Sequence, residues 1–240
     1  MDINFAGWND CSFIDYPEEV AFVAFTAGCN LECAYCHNYL TCVKCSKMYR
    51  PEEIVAAIKE ESTFNMIDAI VITGGEPTLY SDLPFFIQSL TALKKKIKLD
   101  TNGTIPGVLS KALKNGVDFV AIDFKWPIEE YGYLSDNFLE SLKMIRKSGI
   151  PYQIRTTIHK RLLPPEKLQK MVKYFKPGEV WVPQLVVESQ FMRDPSLTAA
   201  TNYTADELRE VMASLKGPDI LIEEDEDEDN CADCAVSDLL

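Results

Sequence analysis

The sequence predicts an α/β fold built around a parallel sheet. Two observations carry that expectation. Apolar runs of strand length alternate with segments of helical periodicity along most of the chain. Motifs rich in ligating or charged side chains also recur just after the strand runs, at the sheet end where such folds bind ligands. The count is about six strand–helix units, short of an eight-unit closed barrel.

In chain order, residues 1–19 are turn-rich and predict a short strand or hairpin ahead of the barrel. Val20-Ala21-Phe22-Val23-Ala24-Phe25 is a continuous apolar run, as expected of a parallel strand buried on both faces. Pro51-Glu52-Glu53 opens a helix: proline suits its first position, and the acids favour its dipole. Ile54, Ala57 and Ile58 form its apolar stripe. Strands are predicted over residues 69–72, 97–99, 117–124, 152–158 and 180–187, with a last short one over 219–222. Helices are predicted over 83–93, 107–113, 135–147 and 165–175. Asn115-Gly116 stops the second of these, and Gly149 with Pro151 ends the third. Thr204-Ala205-Asp206-Glu207 reads as a capping box, and Leu208, Val211 and Leu215 keep helical spacing up to Gly217.

The 240 residues are 47% hydrophobic and 25% charged, enough for one sizeable core. Residues 20–222 are expected to form the barrel, 1–19 an N-terminal extension, and 223–240 an acidic, cysteine-containing tail. Seven of the net −13 charges sit in residues 223–229, which read as a solvated linker. No clustered basic face suggests nucleic acid. No apolar run reaches membrane-spanning length, and the N-terminus lacks signal-peptide character, so a cytoplasmic location is expected. In that compartment, eight cysteines point to metal or redox chemistry rather than disulfides.

The densest motif is Cys29-Asn30-Leu31-Glu32-Cys33-Ala34-Tyr35-Cys36, a C-x3-C-x2-C loop following the first apolar strand. Thiolates are soft ligands that suit iron–sulfur clusters or zinc. Three of them can hold three irons of a [4Fe–4S] cluster and leave the fourth open. A zinc knuckle is the alternative, with His37 or Cys42 as fourth ligand. Thr73-Gly74-Gly75-Glu76-Pro77 follows the second strand; its glycines permit close backbone approach to a ligand, and Glu76 can accept a bond from an ammonium group. Asp100-Thr101-Asn102-Gly103 follows the third strand, and Asp123-Phe124-Lys125 ends the fourth. Cys42-Val43-Lys44-Cys45 and Cys231-Ala232-Asp233-Cys234 form two outer C-x2-C pairs. Together these four are either free thiols or a second site for zinc, iron or another cluster. Cys11 has no evident partner, and His159 is given no role.

The cysteine loop resembles the cluster loop of radical S-adenosylmethionine (SAM) enzymes, whose open (βα)6 barrel fits the strand count. His37-Asn38 narrows the resemblance to activating enzymes of glycyl-radical enzymes. Ser12-Phe13-Ile14-Asp15-Tyr16-Pro17 and the strand at 20–27 narrow it to the activating family of anaerobic ribonucleoside-triphosphate reductase. That family often continues with proline after the Asn, whereas Tyr39-Leu40 follows here. The resemblance implies SAM contacts at Tyr35, Gly74, Gly75, Glu76, Asp100, Thr101, Asn102, Asp123, Lys125 and Arg155. It also implies a monovalent cation at Asp100, Thr101 and Asp123, beside the SAM carboxylate. Flavodoxin or ferredoxin would donate the electron, and a partner reductase would be the protein substrate. Two alternatives stay open: a radical SAM enzyme acting on a small molecule, such as 7-carboxy-7-deazaguanine synthase, and a non-enzymatic iron–sulfur or zinc protein.

Overall fold

A computed structural model describes residues 1–218 and 220–222. The acidic run at 223–229, Cys231, Cys234 and the rest of the expected tail lie outside the described residues.

One eight-stranded sheet runs through the molecule: β1 (Phe5–Tyr16), β2 (Glu19–Thr26), β3 (Ala69–Gly74), β4 (Lys96–Thr101), β5 (Phe119–Asp123), β6 (Tyr152–Ile158), β7 (Val180–Leu185) and β8 (Leu221–Ile222). Spatial order follows chain order throughout. β1 is antiparallel to β2, and every later pair is parallel. Because parallel crossovers are right-handed, an order that never reverses puts all the crossover helices on one face. The other face must then curl inward to be covered, which gives the partial barrel.

The helices match their expected positions: α1 (Pro51–Ile58), α2 (Glu61–Met66), α3 (Leu83–Leu90), α4 (Pro106–Ala112), α5 (Ser135–Ser148), α6 (Pro165–Val172) and α7 (Ala205–Ser214). Only α2 was not anticipated; six residues are too few to show a period. The Thr204–Glu207 capping box forms with both reciprocal hydrogen bonds.

The N-terminal stretch departs from expectation in length: it is a 12-residue strand at the edge of the same sheet, and it forms an antiparallel hairpin with β2. Its turn-forming residues serve bulges instead of ending it. Register shifts fall between Asn9 and Ser12 and between Ser12 and Tyr16. There, Asn9 Oδ1 accepts from the Cys11 N–H, and Ser12 Oγ accepts from the N–H groups of Ile14 and Asp15.

Alternation along the strands divides two environments. Phe22, Ile70, Ile72, Ile97, Leu99, Val120, Ile122 and Ile154 face the helices within the main core. The inward residues of β2 and β3, Ala21, Val23, Ala69 and Val71, form a small apolar plug with Tyr16. Further round, the inward positions become charged: Lys98 and Asp100 on β4, Asp123 on β5 and Arg155 on β6. At the foot of the barrel a cavity of about 510 Å³ lies beside Pro17, Phe119 and Pro151. Its charged lining is already paired, Arg146 Nε standing 2.6 Å from Glu179 Oε1.

Candidate functional site

The cysteine loop, the Gly-Gly-Glu-Pro turn and the Asp-Thr-Asn-Gly turn leave the carboxyl ends of β2, β3 and β4, which are hydrogen-bonded neighbours. They are joined to one another directly. The N–H of Gly75 donates to the Thr26 carbonyl, and that of Glu76 to the Gly28 carbonyl, each at 2.9 Å. Gly74 has φ +107°, and a Cβ there would lie 2.5 Å from the Thr26 nitrogen. A Cβ at Gly75 would lie 1.7 Å from the Gly28 oxygen. Gly74 is therefore required by the backbone of β2 and Gly75 by that of the cysteine loop, a reason the motif alone did not show.

Glu76 is 1% exposed. Its Oε1 accepts from the N–H and hydroxyl of Thr78 and, at 2.7 Å, from the Thr101 hydroxyl. Its Oε2 accepts from the Asn102 N–H at 2.7 Å. Burial pushes the carboxyl's pKa up, and the bonds from Asn102, Thr78 and Thr101 oppose that. The expected ammonium acceptor is thus also a brace between two turns. Asn102 extends the lacing: its Nδ2 donates to Asn30 Oδ1 at 2.9 Å, and Asn30 Nδ2 donates to Thr104 Oγ1 at 2.8 Å. Asn30, Thr78 and Thr104 were not singled out in the sequence, although Asn30 stands beside Cys29 and Thr104 extends the Asp-Thr-Asn-Gly run.

Beneath the turns the inward charges form a ladder. Lys98 Nζ donates to the Asp15 carbonyl and stands 3.3 Å from Asp100 Oδ1. Arg155 reaches Asp100 Oδ2 through Nη1 and Asp123 Oδ1 through Nη2, each at 3.0 Å. Lys125 Nζ lies 3.1 Å from Asp123 Oδ2. Burial works against the Arg155 charge, but Asp100 and Asp123 more than offset it and its pKa is raised. Burial also opposes the Lys125 charge, yet Asp123, Tyr35 and Cys33 hold its pKa well above the usual value. Burial disfavours ionised Asp123 too, but Arg155 and Lys125 hold its carboxyl below the usual range. At Lys98 burial wins and lowers the pKa. The two carboxylates expected to hold a monovalent cation are engaged by three side-chain cations, and this arrangement does not fit that ion.

Removing the cation shared by the buried Asp100 carboxylate and the partly buried Asp123 carboxylate is costly. Arg155→Met is expected to lower the unfolding free energy by about 3–5 kcal/mol, read from urea titrations. A loss below about 1 kcal/mol would mean that these pairs behave like exposed ones.

The three thiols of the cysteine loop lie near Lys125. Burial pushes Cys29 up to about 11. Burial also raises Cys36, against which Lys125 and Arg193 act. Tyr35 is buried with Cys33 in a cluster with Val186, Met192 and Leu197, against which Trp126 packs. Lys125 Nζ lies 5.9 Å from the centre of the Tyr35 ring. The hydroxyl of Tyr35 and the indole nitrogen of Trp126 are enclosed without a hydrogen-bond partner among the described residues.

Cys42 is fully buried against Ala6 and Ala27, with Cys45 packed beside them. The Cys42 carbonyl accepts the Gly28 N–H at 2.9 Å. Their proposed partners, Cys231 and Cys234, lie outside the described residues. His159 is fully buried and holds the segment after β7: Nε2 lies 3.3 Å from the Thr198 carbonyl, while Nδ1 accepts the Arg161 N–H. That segment, residues 186–203, crosses the cysteine loop, and sequence reasoning missed it because it has no periodicity.

Among the described residues no three His, Cys, Asp or Glu side chains converge on a single metal ion. A zinc knuckle at this loop would need such convergence, and His37 is exposed. A cubane asks less, since its thiolates bind separate irons. The sulfur-only donor set beside a cation fits that group.

A profile of the Radical SAM superfamily matches residues 23–176. A Methanocaldococcus jannaschii protein, provisionally named a glycyl-radical-enzyme activating enzyme, is 33% identical over 75% of this chain and 78% of its own. A Methanococcus aeolicus protein, provisionally named a GTP 3′,8-cyclase, is 36% identical over 42% of this chain and 35% of its own. Among solved structures, Streptococcus suis SuiB bound to its precursor peptide SuiA superimposes with TM-score 0.62 at 15% identity. The match covers 84% of this chain but only 48% of SuiB. The match to the superfamily profile spans β2 to α6 and takes in the cysteine loop and the two turns laced to it, so this chain belongs to the radical SAM superfamily.

Proposed function

We propose that this radical SAM enzyme activates a glycyl-radical enzyme, the anaerobic (class III) ribonucleoside-triphosphate reductase, with flavodoxin or ferredoxin as electron donor. The observation that carries the glycyl-radical part of the reading is the relative named as a glycyl-radical-enzyme activating enzyme, matched over three quarters of both chains; its name specifies no partner. The cyclase matches, which favour a small-molecule substrate, are either shorter, at 36% identity over 42% of this chain, or less alike, at 27% identity over 72% of it. His37-Asn38 and Ser12-Phe13-Ile14-Asp15-Tyr16-Pro17 also support the activase over the small-molecule reading.

Cys29, Cys33 and Cys36 would hold the [4Fe–4S] cluster. Once bound and reduced, that cluster supplies the electron that cleaves SAM into methionine and a 5′-deoxyadenosyl radical. The residues around it bind and orient. The ladder carries three cations against two carboxylates. Its surplus positive charge ends at Lys125, where the SAM carboxylate would balance it. Glu76, through Thr101 and Asn102, ties together the two turns that would flank SAM. Tyr35, Gly74, Gly75, Asp100, Asp123 and Arg155 complete the proposed pocket. Residues 20–222 would form the catalytic barrel.

The test is anaerobic. Reconstituted protein given dithionite and SAM should make 5′-deoxyadenosine, and mixing it with the reductase should produce a glycyl-radical EPR signal. SAM cleavage that a purine nucleotide stimulates, with no radical on the reductase, would favour the small-molecule reading.

A further inference from the structure

Residues 186–203 form a strap between β7 and α7 that is fastened to the cysteine loop at adjacent points. The N–H of Arg193 donates to the Cys36 carbonyl at 3.1 Å, and that of Asp194 to the Ala34 carbonyl at 3.0 Å. The Arg193 guanidinium bonds both the carbonyl of Glu32 and its carboxylate, the latter through Nη2 at 2.7 Å. It also lies 5.7 Å from the centre of the Tyr39 ring. These contacts flank Cys33 and include Cys36. The far end of the strap is held by His159 and by Asn202, whose Oδ1 accepts the Lys160 N–H at 3.0 Å.

Residues 28–38 contain no helix or strand. Ordering irregular backbone costs about 1–2 kcal/mol per residue, so thiols on such a loop need outside restraint to stay in register. We infer that Arg193 is a positioning residue for the radical chemistry: it clamps the loop at Glu32 and Cys36 and sets a positive charge beside the thiols. This rests on the reading that Cys29, Cys33 and Cys36 hold the cluster. Two effects follow. A fork that grips a carbonyl and a carboxylate at once should slow cluster loss. A nearby cation should also favour the reduced, more negative cluster and so raise its potential.

The exposed ion pair by itself contributes little, so a moderate effect is expected. Arg193→Gln should still load the cluster, release it to an iron chelator roughly fivefold faster, and reduce at a more negative potential. Arg193→Lys keeps the charge without the fork, so it should recover the potential but not the slow release. If Arg193→Gln fails to fold, Arg193→Lys decides the release rate, and Glu32→Gln, which spares the carbonyl contact, should fall between it and wild type. Wild-type protein with no [4Fe–4S] spectrum would overturn the cluster reading itself. A loaded wild type, with Arg193 variants of equal release rate and potential, would overturn the clamp alone.

Discussion

Changing any one of Cys29, Cys33 or Cys36 to Ala is expected to reduce 5′-deoxyadenosine production to background. All three thiols sit on one loop, and each would hold a separate iron. Cys42, the next thiol along the chain, is not a ready substitute: it is fully buried against Ala6 and Ala27, and burial pushes its thiol up to about 12. The barrel should survive the change, because β2 is held by β1 and β3 on either side. Iron and sulfide analysis after anaerobic reconstitution, alongside turnover, provides the check. A single variant that keeps a full [4Fe–4S] spectrum and cleaves SAM at the wild-type rate would remove these residues from the site.

Glu76→Gln is expected to weaken SAM binding by tens of fold and to lower stability by about 1–3 kcal/mol. The carboxylate accepts bonds from four donors. An amide keeps only one accepting oxygen. Its NH2 group must face either the Asn102 N–H or the Thr78 N–H, and neither can accept. The Thr78 and Thr101 hydroxyls can rotate, but one backbone N–H still loses its partner in a buried site. The turn carrying Asp100, Thr101 and Asn102 then loosens from the one carrying Gly74 and Gly75. Cluster assembly should proceed normally, since the Glu76 N–H still donates to the Gly28 carbonyl. Anaerobic calorimetry with SAM and urea titration measure the two effects. Unchanged values in both would reduce Glu76 to a turn residue.

The elements that were legible in the sequence are those encoded within a few neighbouring residues. The apolar strand at residues 20–25, the proline-led helix at Pro51 and the capping box at Thr204 each follow from local periodicity or end chemistry, and each is present. The three-cysteine loop was equally plain, because its spacing lies within eight residues. Residues 1–19 were harder, because Asn, Asp and Ser supply turns and bulges with the same side-chain bonds; only pairing with β2 decides between them.

The sequence by itself determined the strand–helix alternation, the three thiols and the position of each polar turn after a strand. The tertiary structure decided what those residues touch. Asp100 and Asp123 look like free oxygen ligands in the sequence, yet strand order brings Arg155 between them from β6. The Gly74-Gly75 pair looks like a ligand cradle, yet it is needed by the backbone at Thr26 and Gly28, more than forty residues earlier. Arg193, without any motif, reaches Glu32 across 161 positions. Local chemistry is written in spacing of a few residues, but such partners depend on how the sheet curls and in what register, and that is settled only when the whole chain packs.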